Sequence, residues 1–259
     1  MAPGEDAGAW RAFLAGAGAG GEILKQDRGS AVVASRFVGS GRDRAVVLKY
    51  REGRGWIEGV RAWMGLGRED RQWRGAELVA GASVPTARPL AVGVFGGSPR
   101  VRVLALERVP GRTLLDHLAT GDLTLGQERA LAGEIGRLAG RLSRVGLVNR
   151  DAKPSNWVVA SAVPERVQLV LIDTVGITAS TSSARALGML ASMVIESIGV
   201  GCRPRRSVLW RGLRAYLRER FGAVEKRRLR EYWQGVAGRI ASHGDPTPRV
   251  DPRPPGRGV

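Results

Sequence analysis

The chain reads as an α+β protein whose strands gather in its first part and whose helices fill its second. Three observations predict this. Apolar strand patterns bounded by turn residues recur before residue 109, at 30–38, 44–50 and after Pro89, with one helical segment among them. Beyond residue 109, apolar residues recur at helical spacing over 131–142, 187–198 and 210–221. Between those helical patterns lie one loop, 149–159, and one buried-strand pattern, 167–172.

Taken in order, 25–39 is expected to be a hairpin with Gly29, Ser30 and Ala31 at its tip and Val32, Phe37 and Val38 in its flanks. Small residues there let backbone N–H groups approach an anion. Arg44 to Tyr50 is an apolar strand with one cation, Lys49, at its end. The segment after it places Trp73, Glu77 and Ala80 on one helical face, with Glu69 two turns earlier, until Pro85 and Pro89 end helix formation. Thr124 with Gln127 forms a capping box for a helix whose Leu131, Ile135, Leu138 and Leu142 share one face, and Gly146 breaks it. Later come a helix starting near Ala184, a packing stripe of Trp210, Leu213, Leu217 and Phe221, and an Arg-dense helical segment over 218–240. The Ser/Thr-rich 178–183 is expected to cap a helix rather than to carry modification.

The loop holds the chemistry. Its sequence NRDAKPSNWVV contains both Asn residues of the chain, Asn149 and Asn156, and Lys153, one of four Lys in a chain that draws its positive charge from Arg. Asp151, Lys153 and Asn156 stand at relative positions 0, +2 and +5, where a carboxylate that orients a hydroxyl sits near an amide oxygen able to bind Mg²⁺, with a cation between them. That set fits phosphoryl transfer. Downstream, Val167, Leu169, Val170, Leu171 and Ile172 form a buried-strand pattern that delivers Asp173, a second metal-binding carboxylate, after room for one hairpin.

The loop resembles the HRDxKxxN catalytic loop of the protein-kinase-like superfamily, LIDTVG resembles a divergent DFG metal motif, and RAVVLKY resembles the VAIK strand. The helix with WR, then VPTARPLAV and LALERVPGRTLLDHLA, is similar to bacterial lipopolysaccharide kinases of the Kdo and heptose kinase group, from about Gly29 to Gly199. The resemblance implies a two-lobed protein-kinase-like fold: a small antiparallel sheet with one helix over 21–109, a mainly helical lobe over 110–243, an extension at 1–20 and a disordered tail at 244–259. It implies that Lys49 holds the α- and β-phosphates of ATP, that Glu77 pairs with Lys49, and that Gly29 and Ser30 cover the phosphates. Glu107 and Val109 would meet adenine in a hinge over Leu106–Val109, and Asn156 and Asp173 would hold Mg²⁺. Asp151 would serve the acceptor hydroxyl and Lys153 the γ-phosphate. The acceptor it implies is a sugar hydroxyl of lipopolysaccharide core or a related glycolipid. Asn149 stands where that loop has His, and Thr174 and Val175 follow Asp173 where an aromatic and a Gly are usual, so a degenerate pseudokinase is an alternative reading, as is a small-molecule kinase of the aminoglycoside or choline type.

Composition narrows the classes. With 259 residues the chain can bury a real core. One Cys and two separated histidines, His117 and His243, exclude a disulfide framework and a His/Cys zinc site; the histidines read as a helix-surface and a tail residue. The most apolar run, 188–201, carries Glu196 and is too short to span a membrane, and the N-terminus lacks the order of a secretory signal, so a cytoplasmic protein is expected. A net charge of +17 raises nucleic-acid binding as the competing reading. The excess is spread through the chain as Arg, which equally suits peripheral contact with an anionic inner-membrane surface or a phosphorylated glycolipid.

Overall fold

A short helix with Trp and Leu four residues apart, followed by alternating strands, has one way to bury its apolar stripe: against the sheet those strands build. The computed structural model, which describes residues 7–16, 21–39, 42–53, 64, 67–95, 101–163 and 166–244, shows this in the first of two compact units, residues 1–76 and 87–108. Helix α1 (Ala7–Gly16) packs onto an antiparallel sheet of β1 (Glu22–Asp27), β2 (Ser30–Gly39), β3 (Arg42–Glu52), β4 (Pro89–Phe95) and β5 (Val101–Glu107), ordered β1-β2-β3-β5-β4. Trp10 of α1 stacks on Phe37 at 3.9 Å, and Phe13 meets Phe37 edge-on at 5.2 Å. The segment expected as an extension thus supplies part of this unit's core, with Val46, Leu48, Leu90 and Val103.

The hairpin forms with a tighter tip than expected. Asp27 pairs with Ser30, so Arg28 and Gly29 alone make the turn, and Gly29 takes φ 75, which a side chain would oppose. Ser30 and Ala31 already belong to β2. Strand alternation sends Val46 and Leu48 into the α1 core and Lys49 to the opposite face. Helix α2 (Arg68–Gly81) forms where expected and crosses the unit boundary after Ala76. In the first unit, Arg102 of β5 ties down the first turn of α2 through Glu69 at 3.0 Å and Asp70 at 2.9 Å.

The second unit, 77–86 and 109–259, is built on helices. It contains β6 (Arg112–Thr113), α3 (Leu114–Thr120), α4 (Leu125–Arg144), β7 (Leu147–Asn149), β8 (Trp157–Ser161), β9 (Gln168–Leu171), β10 (Ile177–Ala179), α5 (Ser183–Gly199), α6 (Arg206–Phe221) and α7 (Lys226–His243). Both sides of the Thr124–Gln127 capping box are made, and Leu131, Leu138 and Leu142 are buried with Val79, Trp157 and Leu171. Strands β8 and β9 form the expected hairpin and β6 joins its free edge. Ser182 caps α5, within the segment expected to do so, although Thr178 and Ala179 lie in β10. No helix among the described residues is long and apolar enough to cross a membrane.

Three local expectations need correction. The Arg-dense segment over 218–240 is two helices, because Gly222 adopts φ 78 and its N–H returns to the carbonyl of Arg218, closing α6. In the stripe on α6, Leu213 and Leu217 are buried while Phe221 is 39% exposed, its ring covered on one side by the Arg228 guanidinium at 4.3 Å. His243 closes α7 instead of lying in the tail. The tail expected to be disordered lies, from residue 245 on, outside the described residues.

Helices α4 and α6 touch backbone to backbone. A Cβ at Gly136 would overlap the carbonyl oxygen of Gly212, and one at Gly140 would lie 2.8 Å from the carbonyl oxygen of Tyr216. A methyl group at Gly136 therefore forces the helices apart instead of moving a side chain. Gly136→Ala should lower stability by about 2 kcal/mol, despite the better helix propensity of Ala, as read from the urea midpoint. An unchanged or higher midpoint would contradict this packing.

Candidate functional site

The loop between β7 and β8 is irregular, so its main-chain polar groups need partners other than a ladder or a helix. They are supplied from both sides. Strand β10 pairs with β7 through Ile177 and Asn149, and the Arg150 N–H donates to the Gly176 carbonyl at 3.0 Å. The Asn149 side-chain oxygen accepts from the Asp151 N–H at 3.0 Å, so the residue standing where the resembling loop has His orders the loop locally. Lys153 N–H donates to the Asp151 carbonyl, Pro154–Asn156 form one 3-10 turn, and the Asn156 carbonyl accepts from the Ile172 N–H at 2.9 Å. That last bond joins the loop to the segment carrying Asp173.

One further contact fixes the turn. Glu196 of α5 accepts from both the Ser155 N–H at 2.8 Å and the Ser155 hydroxyl at 2.7 Å. A carboxylate taking two such donors is a charge-assisted clamp. In the sequence Glu196 shows only as an interruption of an apolar run; a lone carboxylate in so apolar a helix is the available signal. Gly176 is the other residue overlooked. A Cβ there would lie 2.6 Å from Asn149 Oδ1 and 2.8 Å from the Asp151 nitrogen, so the chain can pass under the loop at that point only as glycine.

The side chains so placed form one group. Lys153 Nζ lies 2.8 Å from Asp151 Oδ1, and both side chains are partly open to solvent. The Lys153 ammonium is held above its ordinary pKa of 10.5 first by its hydrogen bond to Asp151, against partial burial, with added attraction from Asp151, Glu196 and Asp173. Asn156 donates its side-chain N–H to the Asp151 carbonyl at 2.8 Å, which leaves the amide oxygen as the group it can offer a ligand. Asp173, two residues past β9, accepts the Val175 N–H through Oδ1 at 3.0 Å. Asp151, Lys153, Asn156 and Asp173 are thus gathered within the helical unit.

The remaining expected residues belong to other places. Gly29, Ser30, Lys49 and Glu107 lie in the sheet unit, and Val109 lies in the helical one. Lys49 Nζ donates to Gln72 Oε1 at 3.0 Å, a partner that sequence reading did not name. The expected Glu77 follows five residues later, about 140° around the same helix, and lies in the second unit. Glu69, the other carboxylate considered, is engaged by Arg102. Glu107 ends β5 with its N–H bonded to the Arg88 carbonyl at 2.9 Å.

No protein-family model matches this chain, and no curated protein matches it.

Two outcomes test this geometry. Because the Asp151 hydrogen bond is the main cause of the raised Lys153 pKa, Asp151→Asn should move the titration of the Lys153 ε-methylene carbon, followed by NMR, to lower pH. The sign agrees with linkage. A folded pKa above the unfolded one means that the pair stabilises the folded chain below the ordinary lysine range and loses that contribution as pH rises through the raised value. No downward movement would remove the pair as its cause. Separately, Glu196→Ala leaves the Ser155 N–H without its acceptor and should cost about 2 kcal/mol in urea unfolding, with Ser155→Ala costing less because the N–H bond survives. Equal losses would locate the effect outside the clamp.

Proposed function

We propose that the chain is an ATP-dependent phosphotransferase of the protein-kinase-like kind, acting on a hydroxyl group. The observation that carries the reading is the loop clamped between β10 and α5, which holds Asp151, Lys153 and Asn156 together and ties the Asn156 carbonyl to the segment of Asp173. The donor set suits a hard cation shared with phosphate. Among the described residues no cluster of three His, Cys, Asp or Glu could hold a metal unaided, whereas Mg²⁺ is commonly held by one or two protein oxygens together with substrate phosphates. Asn156 Oδ1 and the Asp173 carboxylate would hold it, and when bound it would neutralise charge on the phosphates.

The chain's own residues then divide the work. Asp151 places Oδ1 against Lys153 Nζ at 2.8 Å, which leaves Oδ2 for the acceptor. That oxygen is the one able to receive the acceptor proton. The acceptor oxygen forms a bond to the γ-phosphorus, the bond to the β–γ bridging oxygen breaks, ADP leaves with the electron pair, and the proton passes to Asp151. Lys153, cationic across the neutral range, meets charge on the moving phosphoryl group. Lys49 is assigned to the α- and β-phosphates, Gly29 and Ser30 to covering them, and Glu107 and Val109 to adenine.

A sugar hydroxyl of lipopolysaccharide core or a related glycolipid is the acceptor that the sequence resemblance supports. Only residues 174–182 separate Asp173 from α5, and three of these form β10, which leaves little chain for docking a peptide. The chain's excess positive charge suits a phosphorylated acceptor.

The test is transfer of labelled γ-phosphate to isolated core oligosaccharide. Asp151→Asn should lower turnover by about 100-fold or more while nucleotide affinity stays within about twofold. Equal turnover in the variant and the parent would remove Asp151 from the reaction.

A further inference from the structure

The helical unit contains a second feature, independent of the phosphotransfer reading. A cavity of 880 Å³ lies among α3, α4, α5, α6 and α7, with walls that include Leu118, Ile135, Met193, Leu209 and Ile240. Its size falls in the range of small-molecule sites, roughly 300–1,000 Å³. Side chains this apolar, left lining an open space, forgo both burial and dispersion contacts.

The mouth has a different character. The connection between α5 and α6 contributes Arg203, Pro204, Arg205 and Arg206 to the lining, against one carboxylate, Glu128 of α4. None of the three arginines is paired with a carboxylate among the described residues. Arg206 is held over the Trp233 ring at 5.6 Å, and Trp233 is itself stacked on Trp210 at 4.7 Å, so one cation at the mouth is braced by an aromatic pair. Arg205 is the N-cap and Arg206 the first residue of α6, whose start has no side-chain cap hydrogen bond and whose dipole adds to the positive field of the three arginines.

An apolar interior with an unpaired cationic rim is complementary to an apolar chain that ends in a negative group. We propose that this cavity binds the acyl chain of an anionic lipid, with the chain among α4, α5, α6 and α7 and the charged head at Arg203, Arg205 and Arg206. Neither half of the site explains the other's occupant. An inorganic anion would leave the apolar walls bare, and a neutral hydrocarbon would leave the arginines unused. Helix α5 also links this site to the candidate active site, because Met193, Val194, Ser197 and Ile198 line the cavity while Glu196 clamps Ser155.

The cavity carries its own reporter. Cys202, the one cysteine of the chain, lines it, and its Sγ donates to the Leu118 carbonyl at 3.1 Å. Burial pushes its thiol pKa up, so alkylation is followed at a pH of about 9, where thiolate is present. The full chain is titrated with dodecyl phosphate, 1-dodecanol and inorganic phosphate, reading the alkylation rate of Cys202 and tryptophan fluorescence. Dodecyl phosphate should slow alkylation and bind at least about tenfold more tightly than dodecanol. The exchange of Arg203, Arg205 and Arg206 for Gln should abolish that preference while dodecanol binding persists. Val236→Trp, which fills the cavity from α7, should lose both ligands. The arginine exchange lies on exposed side chains and keeps the test meaningful if Val236→Trp fails to fold. Absence of dodecyl phosphate binding, equal affinity for dodecanol, displacement by inorganic phosphate alone, or a folded Val236→Trp that binds as the parent does would each overturn the proposal.

Discussion

Three side chains can act together from an irregular loop only if the loop's backbone has nowhere else to go. Here that constraint is met by hydrogen bonds from neighbouring segments: Gly176, just before β10, supplies a carbonyl to Arg150, the Asp173 segment donates to Asn156, and Glu196 takes both donors of Ser155. The rest of the helical unit follows from holding those three supports in place. Helix α5 must pass beneath the loop with Glu196 facing it, which fixes which face of α5 is left for the core and for the cavity beyond. The chain leading into β10 must pass so close to Asn149 and Asp151 that residue 176 can carry no side chain. Helices α4 and α6 then close the unit through a glycine contact that leaves no room for adjustment.

The electrostatics of the loop run against those of the chain. The protein carries a net charge of +17, yet Lys153 stands among Asp151, Asp173 and Glu196 and is held above its ordinary pKa by the first of them. A lysine so surrounded is a fixed cation at neutral pH, not a proton donor. The chain's net positive charge gives diffusing polyanions a favourable approach, while the local carboxylates suit a divalent cation better than a bare anion. A site meant to handle phosphate without metal would be expected to keep its arginines and dispense with the acids. The cavity mouth, with Arg203, Arg205 and Arg206, is arranged in that second way, which is why the two places call for different ligands.

Local patterns were legible in the sequence because their causes are local. The Thr124–Gln127 box, the strand alternation around Lys49, the hairpin after Asn156 and the cap before α5 all depend on residues within a few positions of one another. What sequence reading missed was long-range or steric. Glu196 reaches Ser155 across 41 positions, and nothing in its neighbours announces the partner. Gln72 meets Lys49 because β3 and α2 are brought together by the sheet, while periodicity alone drew attention to Glu77. Trp10 and Leu14 belong to a helix of only ten residues flanked by small residues, too short to stand out by periodicity, yet the stacking of Trp10 on Phe37 makes that helix part of the core. Gly136 and Gly176 matter for what approaches them, which no spacing rule encodes.

On the proposed reading, Asn156 and Asp173 form a metal-dependent nucleotide site. Thermal unfolding with ATP, with and without Mg²⁺, tests it most directly, because a ligand that binds the folded state stabilises it by mass action. At ATP about 100-fold above its Kd the gain is roughly 2.7 kcal/mol, which displaces the transition of a chain this size by several degrees. The account expects that rise to require Mg²⁺ and to vanish in Asp173→Ala. A rise that is equal without Mg²⁺ or equal in Asp173→Ala, or no rise at all, would contradict it.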